Sequence, residues 1–203
     1  MRIGLFGGTF DPPHTGHVLA ASDAYEALTL DRLVFIPAAQ QPLKQGLHHA
    51  SAADRLAMVR LLSDGDPRFD VDAIEIERSG LSYSVDTLEA FASRFPGAER
   101  FLLVGADVVA TFAMWRAPRR IAELARLTVL QRETPGIAVE KAAMVGALRA
   151  ITGEELPAPL VLDTRRVDVS STEIRERVRM DRSLHGFVPD AVARYITERG
   201  LYR

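Results

Sequence analysis

The sequence contains no cysteine, which excludes disulfide bonds, thiolate nucleophiles and cysteine-based zinc sites. It also lacks any apolar run near the roughly 20 residues that a membrane-spanning helix needs. Met1 and Arg2 are followed at once by the apolar run that begins at Ile3, which leaves no room for a secretion signal. We therefore expect a cytoplasmic protein that does not insert into membranes.

A large excess of charge is also missing, because 25 basic residues stand against 27 acidic ones and the net charge is −2. Proteins that bind nucleic acid or anionic membranes are normally basic, so we expect neither kind of partner. The chain of 203 residues, 47% of them hydrophobic, is long enough for one domain with a substantial core. We expect a single domain over residues 1–203. This composition is compatible with a homo-oligomer.

Short apolar runs alternate with segments of helical periodicity. Strands are predicted at Ile3–Phe6, Leu33–Ile36, Phe69–Ile76, Phe101–Val104, Leu127–Leu130 and Leu160–Leu162. Helices are predicted at Val18–Leu28, Ala52–Leu62, Val85–Phe95, Ile121–Ala125, Val139–Ile151, Ser171–Arg179 and Pro189–Arg199. The alternation predicts an α/β fold, a Rossmann-like, doubly wound and mainly parallel sheet with helices on both faces. Glu75, Glu77 and Arg78, at the end of the third predicted strand and just beyond it, are interpreted mainly as a solvated face.

The segment from Gly7 to His17 follows the first predicted strand and leads into a helix. Gly7 and Gly8 allow backbone amides to approach an anion closely, and Gly16 leaves space beside it. His14 and His17 are three residues apart, so one helical turn points both at the same ligand, where they can stabilise the charge of phosphoryl transfer. The alternative is a turn with two exposed histidines. A metal site is disfavoured, because no third strong ligand lies at a suitable spacing.

A second candidate phosphate site lies near the other end of the chain, at Ser170-Ser171-Thr172-Glu173-Ile174-Arg175. Serine and threonine favour a helix N-terminus whose amides face an anion, and Arg175 can bind a phosphate with its planar guanidinium. Taken alone, such a pattern is most often only a helix cap. Together with His14-Thr15-Gly16-His17, however, it resembles the two signatures of the nucleotidylyltransferase superfamily.

Further stretches resemble the bacterial nicotinate-nucleotide adenylyltransferases in particular. They are the segment Gly80–Leu88, then Gly105-Ala106-Asp107 and Trp115, and finally Gly200–Arg203. The resemblance covers nearly the whole chain in the correct order. It implies that ATP and nicotinate mononucleotide react to give deamido-NAD and pyrophosphate. It also implies that Mg²⁺ is bound through the ATP phosphates, with no metal site in the protein itself.

The same resemblance implies roles for individual residues. The catalytic groups at the ATP phosphates would be His14, His17, Lys44 and Arg175. Further contacts with ATP would come from Gly7, Gly8, Thr9, Phe10, Gly16, Gly105, Asp107, Arg132, Ser170 and Thr172. Asp107 would bind the ribose hydroxyls. The second substrate, nicotinate mononucleotide, would be bound by the backbone amides of Tyr83 and Ser84 and by stacking on Trp115.

Several of these assignments have structural alternatives. Asp107 also suits a helix N-cap, Trp115 also suits a core or interface position, and Arg132 also suits a solvated surface. The sequence departs from the family pattern at two places. Ser84 stands where threonine is usual, and the loop before Lys44 lacks the histidine that often precedes the basic residue.

Three other kinds of protein share part of this pattern. Another small nucleotidylyltransferase, such as a phosphopantetheine adenylyltransferase, would have both phosphate motifs but not the Tyr83 segment and Trp115. A class I aminoacyl-tRNA synthetase core would need an anticodon-binding domain and a basic surface. A non-catalytic nucleotide sensor on the same fold is disfavoured by the intact His14, His17 and Arg175.

Overall fold

The computed structural model describes residues 1–44, 49–132 and 138–203, without the side chains of residues 44, 132, 138 and 139. The strands are β1 (Arg2–Gly8), β2 (Arg32–Pro37), β3 (Phe69–Val71), β4 (Glu99–Gly105), β5 (Arg126–Arg132) and β6 (Leu160–Thr164). The α-helices are α1 (Thr15–Ala27), α2 (Ala52–Ser63), α3 (Ile74–Arg78), α4 (Ser84–Arg94), α5 (Pro118–Leu124), α6 (Ala138–Thr152), α7 (Ser171–Arg179) and α8 (Asp190–Glu198). Short 3-10 helices lie at Pro42–Lys44, Ala106–Val108 and Phe112–Met114. In this part of the chain, no helix is long and apolar enough to cross a membrane.

The six strands form one parallel sheet in the order β3-β2-β1-β4-β5-β6. The direction of winding reverses between β1 and β4, which are neighbours in the sheet. In doubly wound sheets, ligands bind at the carboxyl ends of the strands beside this switch point. Because β1 ends at Gly8 and β4 ends at Gly105, the first motif and the segment of Asp107 meet there. The predicted doubly wound α/β fold is confirmed.

Each face of the sheet has its own hydrophobic core. In β2, Leu33 and Phe35 belong to the core that also contains residues of α1, α2, α7 and α8. The alternate residues Val34 and Ile36 belong to the core that contains residues of α4, α5 and α6. This alternation follows from the two-residue period of a strand. Burial on both faces explains why the strands are continuous apolar runs in the sequence.

Local signals set several helix ends. Oγ of Ser51 accepts a hydrogen bond from the amide of Asp54 at 3.0 Å and so caps α2, as is typical of serine at this position. Helix α8 is one residue shorter at each end than expected. Pro189 is its N-cap and not its first residue, and Arg199 is its C-cap. Gly200 follows its end with a φ of +60°, a conformation that glycine adopts without steric cost.

The predicted strand Phe69–Ile76 is wrong in its second half. β3 is only three residues long, and the side chain of Asp72 then accepts a hydrogen bond from the amide of Ile74 at 2.9 Å, where α3 begins. Glu75 is therefore not on a solvated strand face. It is 7% exposed and accepts a hydrogen bond from the hydroxyl of Thr87 at 2.7 Å. Periodicity alone cannot distinguish a strand from a helix in so short a segment.

Candidate active site

The two histidines of the first motif stack on each other at the start of α1. His14 is the N-cap of the helix and is 6% exposed, and its ring centroid lies 3.8 Å from that of His17. Nδ1 of His17 accepts a hydrogen bond from the backbone N–H of His14 at 3.1 Å. A ring nitrogen that accepts a hydrogen bond carries no proton, so the proton of the neutral His17 ring lies on Nε2. Nε2–H is therefore the hydrogen-bond donor of the neutral His17 ring.

The glycines of this motif have different structural roles. A Cβ at Gly16 would lie 3.0 Å from Nδ1 of His14, so the absence of a side chain lets the imidazole pack over the first turn of α1. By contrast, no described atom lies within 4 Å of a Cβ at Gly7, which is exposed at the end of β1. Gly16 thus makes room for the ring of His14, and Gly7 leaves open space near the end of β1.

Phe10 belongs to the hydrophobic core although it lies within the motif. It is 2% exposed, and its ring packs edge-on against Phe6 and Phe35, both at 5.9 Å between centroids. A Cβ at Gly8 would lie 2.8 Å from this ring, so Gly8 makes room for it. Any contact of Phe10 with ATP would therefore involve its backbone.

The guanidinium of Arg55 is hydrogen-bonded to the backbone of the first motif and of the segment after β2. This residue of α2 is 1% exposed, and its Nη1 donates to the carbonyl oxygens of Thr9 at 2.8 Å and of Ala38 at 2.6 Å. Its Nη2 donates to the carbonyl of Ala39 at 2.9 Å. Burial lowers the pKa of the Arg55 guanidinium, and the nearby negative charge of Asp11 opposes this effect. One buried cation thus links the segments that follow β1 and β2.

The second motif forms the predicted helix cap. Oγ of Ser170 accepts a hydrogen bond from the amide of Glu173 at 3.1 Å at the start of α7. In the first turn, Nη2 of Arg175 donates to the hydroxyl oxygen of Thr172 at 3.0 Å. Both contacts orient the first turn of this helix and the guanidinium of Arg175.

Helix α7 is bonded directly to the first motif. The hydroxyl of Ser171 donates to the backbone carbonyl of Pro12 at 2.8 Å. Nη1 of Arg175 donates to the carbonyl of Asp11 at 2.7 Å, across 164 residues of sequence. The structure therefore brings together the two motifs that the sequence analysis assigned to phosphate binding.

Asp11 is a buried residue at the contact between the first motif and α7. Its carboxylate, in a residue only 5% exposed, accepts hydrogen bonds from the amides of His49 at 2.7 Å and of Ala50 at 3.1 Å. It also accepts one from the hydroxyl of Tyr202 at 2.8 Å. Burial, together with the charge of Asp11, raises the pKa of Tyr202. Two separate segments of the chain, residues 49–50 and the C-terminal segment with Tyr202, are thus fixed to one carboxylate.

A cavity of about 460 Å³ contains the residues predicted for the second substrate. Its walls come from the segment after β2, from the start of α4 and from the segment after β4. The lining residues are Gln41, Pro42, Leu43, Ser82, Tyr83, Ser84, Asp107, Val108, Thr111, Met114, Trp115, Arg116 and Ile121. Four residues that the sequence analysis assigned to substrates, Tyr83, Ser84, Asp107 and Trp115, are therefore neighbours.

One wall of the cavity combines aromatic rings with a helix N-terminus. Trp115 is partly exposed, and its ring centroid lies 5.5 Å from that of the fully buried Phe112. Tyr83 is the N-cap of α4, which begins at Ser84 and has no side-chain cap among the described residues. The first amides of a helix have no partners within it, so this end favours an anion. The guanidinium carbon of Arg116 lies 4.8 Å from the centre of the Tyr83 ring.

Asp107 lies in the 3-10 helix directly after β4 and is exposed. The N-cap of this short helix is Gly105, so the carboxylate of Asp107 does not have the capping role that was its alternative. A Cβ at Gly105 would lie 2.6 Å from Oδ1 of Asp107. The glycine thus allows the carboxylate to fold back close to the end of β4.

The remaining predicted residues, Lys44 and Arg132, are described in their backbone only. Lys44 ends the 3-10 helix after β2, and Arg132 ends β5, where it pairs with Thr164. Their side chains lie outside the described part of the chain, so their roles stay predictions. Over residues 1–44, 49–132 and 138–203, no three His, Asp or Glu side chains are grouped so that they could hold a metal ion.

Sequence reasoning missed Asp11, Arg55, Glu75 and Tyr202 as parts of the site. A signal existed for Arg55, because it precedes the buried Met58 by three residues and so occupies the apolar stripe of α2. No local sequence signal distinguishes the other three residues from their neighbours. Their importance comes from contacts with distant segments.

Comparison with known proteins agrees with this geometry. A family model described as cytidylyltransferase-like matches residues 5–177. A protein of Gemmatimonas aurantiaca named "Probable nicotinate-nucleotide adenylyltransferase" is 54% identical over 203 residues, which is 100% of this chain and 93% of that protein. The protein of the same name from Thermus thermophilus is 44% identical over 204 residues, with 100% of both chains covered.

Solved structures show the same fold at low sequence identity. Plasmodium falciparum nicotinic acid mononucleotide adenylyltransferase complexed with NaAD has a TM-score of 0.78 and 14% identity, over 99% of this chain and 97% of that chain. Its complex with APC has a TM-score of 0.75 and 13% identity, over 99% and 96%. With the two joined phosphate motifs and the full-length relatives, the chain belongs to the nicotinate-nucleotide adenylyltransferases, within the cytidylyltransferase-like family.

Proposed function

We propose that this protein transfers the AMP moiety of ATP to nicotinate mononucleotide, giving deamido-NAD and pyrophosphate. The observation that carries the proposal is the 2.7 Å hydrogen bond from Arg175 to the carbonyl of Asp11. It joins two anion-binding motifs at the switch point of the sheet, where one nucleotide triphosphate can be bound from both sides. The names of the full-length relatives support this particular reaction.

The ATP phosphates would lie between the N-termini of α1 and α7. His17 donates from Nε2, and the guanidinium of Arg175 is already oriented by Asp11 and Thr172. The amides at the N-terminus of α7 add partial positive charge. The ribose hydroxyls would bind the carboxylate of Asp107, which accepts such hydrogen bonds well.

Nicotinate mononucleotide would occupy the cavity of about 460 Å³. Its pyridine ring would stack on Trp115, whose face suits a flat aromatic ligand. The carboxylate of the nicotinate would accept hydrogen bonds from the free amides at Tyr83 and Ser84. This arrangement favours an anionic substituent on the ring, because a carboxylate accepts only, whereas a carboxamide also presents two donors.

The reaction needs no nucleophilic side chain. A phosphate oxygen of the mononucleotide attacks the α-phosphorus of ATP, the new P–O bond forms, and the bond from this phosphorus to the bridging oxygen of pyrophosphate breaks. Magnesium, held by the ATP phosphates, would neutralise part of their charge. The protein contributes orientation and hydrogen bonds to the charge that builds in the transition state. We also propose that residues 1–203 work as one domain, since Tyr202 contacts the first motif.

The test is to incubate the purified protein with ATP, Mg²⁺ and one of three acceptors: nicotinate mononucleotide, its amide analogue or phosphopantetheine. Pyrophosphate release and the dinucleotide product are measured together. We expect equal amounts of pyrophosphate and deamido-NAD with the acid. Turnover with phosphopantetheine alone would replace the proposal with another adenylyl transfer. ATP binding without pyrophosphate release from any acceptor would indicate a nucleotide sensor.

A further inference from the structure

A buried carboxyl group lies behind the proposed nicotinate site without lining the cavity. Glu75 on α3 is 7% exposed and accepts a hydrogen bond from the hydroxyl of Thr87 at 2.7 Å. Burial raises the pKa of the Glu75 carboxyl, and the nearby side chains of Thr87 and Ser82 oppose this effect. Because a buried carboxyl is costly unless its oxygens are hydrogen-bonded, the contact with Thr87 stabilises it at this position.

The two partners of Glu75 flank the segment that would recognise the nicotinate. Ser82 immediately precedes Tyr83, and Thr87 lies in the first turn of α4, three residues after Ser84. The carboxyl is therefore bonded to one end of this segment and lies near the other. A shift of either end would move the amides at the N-terminus of the helix.

The segment is also bonded to the chain that follows β2. The hydroxyl oxygen of Ser82 accepts a hydrogen bond from the amide of Ala39 at 2.9 Å, and the amide of Ser82 donates to the carbonyl of Gln40 at 2.9 Å. The carbonyl of Ala39 in turn accepts from Arg55. Hydrogen bonds thus run from Arg55 through Ala39 to Ser82, which lies near Glu75.

We propose that Glu75 is a positioning residue for the second substrate: through Ser82 and Thr87 it fixes the amides of Tyr83 and Ser84 for an anionic pyridine substituent. This inference rests on the proposed function and adds the residue on which selectivity for the acid depends. Glu75 does not touch the substrate. Its effect is therefore confined to the binding of one substrate.

The matched variants are Glu75→Ala, Glu75→Gln and the control Glu77→Ala, an exposed glutamate on the same short helix. Steady-state kinetics give KM separately for nicotinate mononucleotide and for ATP. Glu75→Ala is expected to raise KM for the mononucleotide roughly tenfold to a hundredfold, which corresponds to misplaced hydrogen bonds to a charged group. KM for ATP should stay within about twofold. Glu75→Gln keeps a hydrogen-bonding group and should restore most of the affinity, and Glu77→Ala should match the wild type.

Thr87→Val decides the question if Glu75→Ala does not fold, because valine has nearly the shape of threonine and removes the hydroxyl that donates to Glu75 at 2.7 Å. The other contacts of this hydroxyl, with Arg78 at 3.3 Å and with the carbonyl of Tyr83 at 3.5 Å, are longer. Thr87→Val should also raise KM for the mononucleotide and lower the preference for the acid over the amide. An equal rise of both KM values, or unchanged KM values in a folded variant, would overturn the inference. A wild-type protein that forms no deamido-NAD would instead refute the proposed function itself, so the two failures are distinguishable.

Discussion

The hydroxyl of Tyr202 donates a hydrogen bond to Oδ1 of Asp11 at 2.8 Å, which joins the penultimate residue of the chain to the loop of the histidine motif. The backbone carbonyl of the same aspartate accepts from Arg175 at 2.7 Å. Both ends of the sequence and the second phosphate motif thus meet at Asp11. The C-terminal segment is held further by α8, where Tyr195 donates to Asp54 on α2 at 2.9 Å.

Replacing Tyr202 with phenylalanine should destabilise the fold. The variant keeps the ring but removes one donor from a carboxylate that is 5% exposed. We expect the free energy of unfolding to fall by about 1–3 kcal/mol, the usual range for the loss of a hydrogen bond to a charged group. Urea denaturation followed by circular dichroism measures the change. An unchanged unfolding midpoint would show that Asp11 does not depend on this contact.

His17→Ala should abolish most of the activity without unfolding the protein. The substitution removes the Nε2–H donor that the contact with His14 orients. The loss of one such donor to transition-state charge typically lowers kcat about 10²- to 10³-fold. His185→Ala is the matched control, because the side chain of His185 is 86% exposed, and the neighbouring residues Gly186 and Phe187 contact Thr15 of the motif through their backbone carbonyls, which the substitution keeps. A well-folded His17→Ala variant with wild-type kcat would contradict the mechanism.

The fold was predictable because its strands are buried on both faces and therefore stand out as continuous apolar runs. Leu33–Ile36 shows this most clearly, since its residues alternate between the two cores. The two motifs assigned to phosphate binding were also predictable, because a glycine turn or a serine cap before a helix can be recognised from neighbouring residues alone. That Arg175 contacts the carbonyl of Asp11 is a property of the folded chain.

The second half of the third predicted strand was wrong because local sequence patterns do not determine its secondary structure. Glu75, two residues before Glu77, fits a strand as well as a short helix, and its state is settled by Thr87, 12 residues further along. The cavity could not be predicted from local patterns either, because Tyr83 and Trp115 come from different segments of the chain. In the sequence, only the family resemblance assigned both residues to one substrate. Contacts between distant residues decide such positions, and no local pattern encodes them.

Stability should depend on pH through Glu75. Burial raises the pKa of this carboxyl above its ordinary value of 4.5. A raised folded-state pKa stabilises the fold below the unfolded-state pKa, and this contribution is lost as the pH rises through the folded-state value. Glu75→Gln cannot ionise and should become more stable relative to the wild type as the pH increases from about 4 to 8. Urea denaturation across this range checks the sign, and a difference independent of pH would contradict the assignment.

Gly16→Ala should lower activity while leaving the helix intact. The added Cβ would lie 3.0 Å from Nδ1 of His14, so the imidazole must shift slightly from its position beside His17. Because misplacement of a catalytic group by about 1 Å can cost up to about 10²-fold in rate, we expect this smaller shift to lower kcat by about two- to fivefold.

The matched control for this substitution is Gly146→Ala in α6, where no described atom lies within 4 Å of the new Cβ. Alanine favours a helix interior over glycine, so this control should raise the free energy of unfolding by about 1 kcal/mol and leave kcat unchanged. Thermal unfolding of both variants, measured beside their kinetics, separates helix propensity from the placement of His14. If Gly16→Ala keeps wild-type kcat, the packing of His14 over the first turn of α1 is not needed for the reaction.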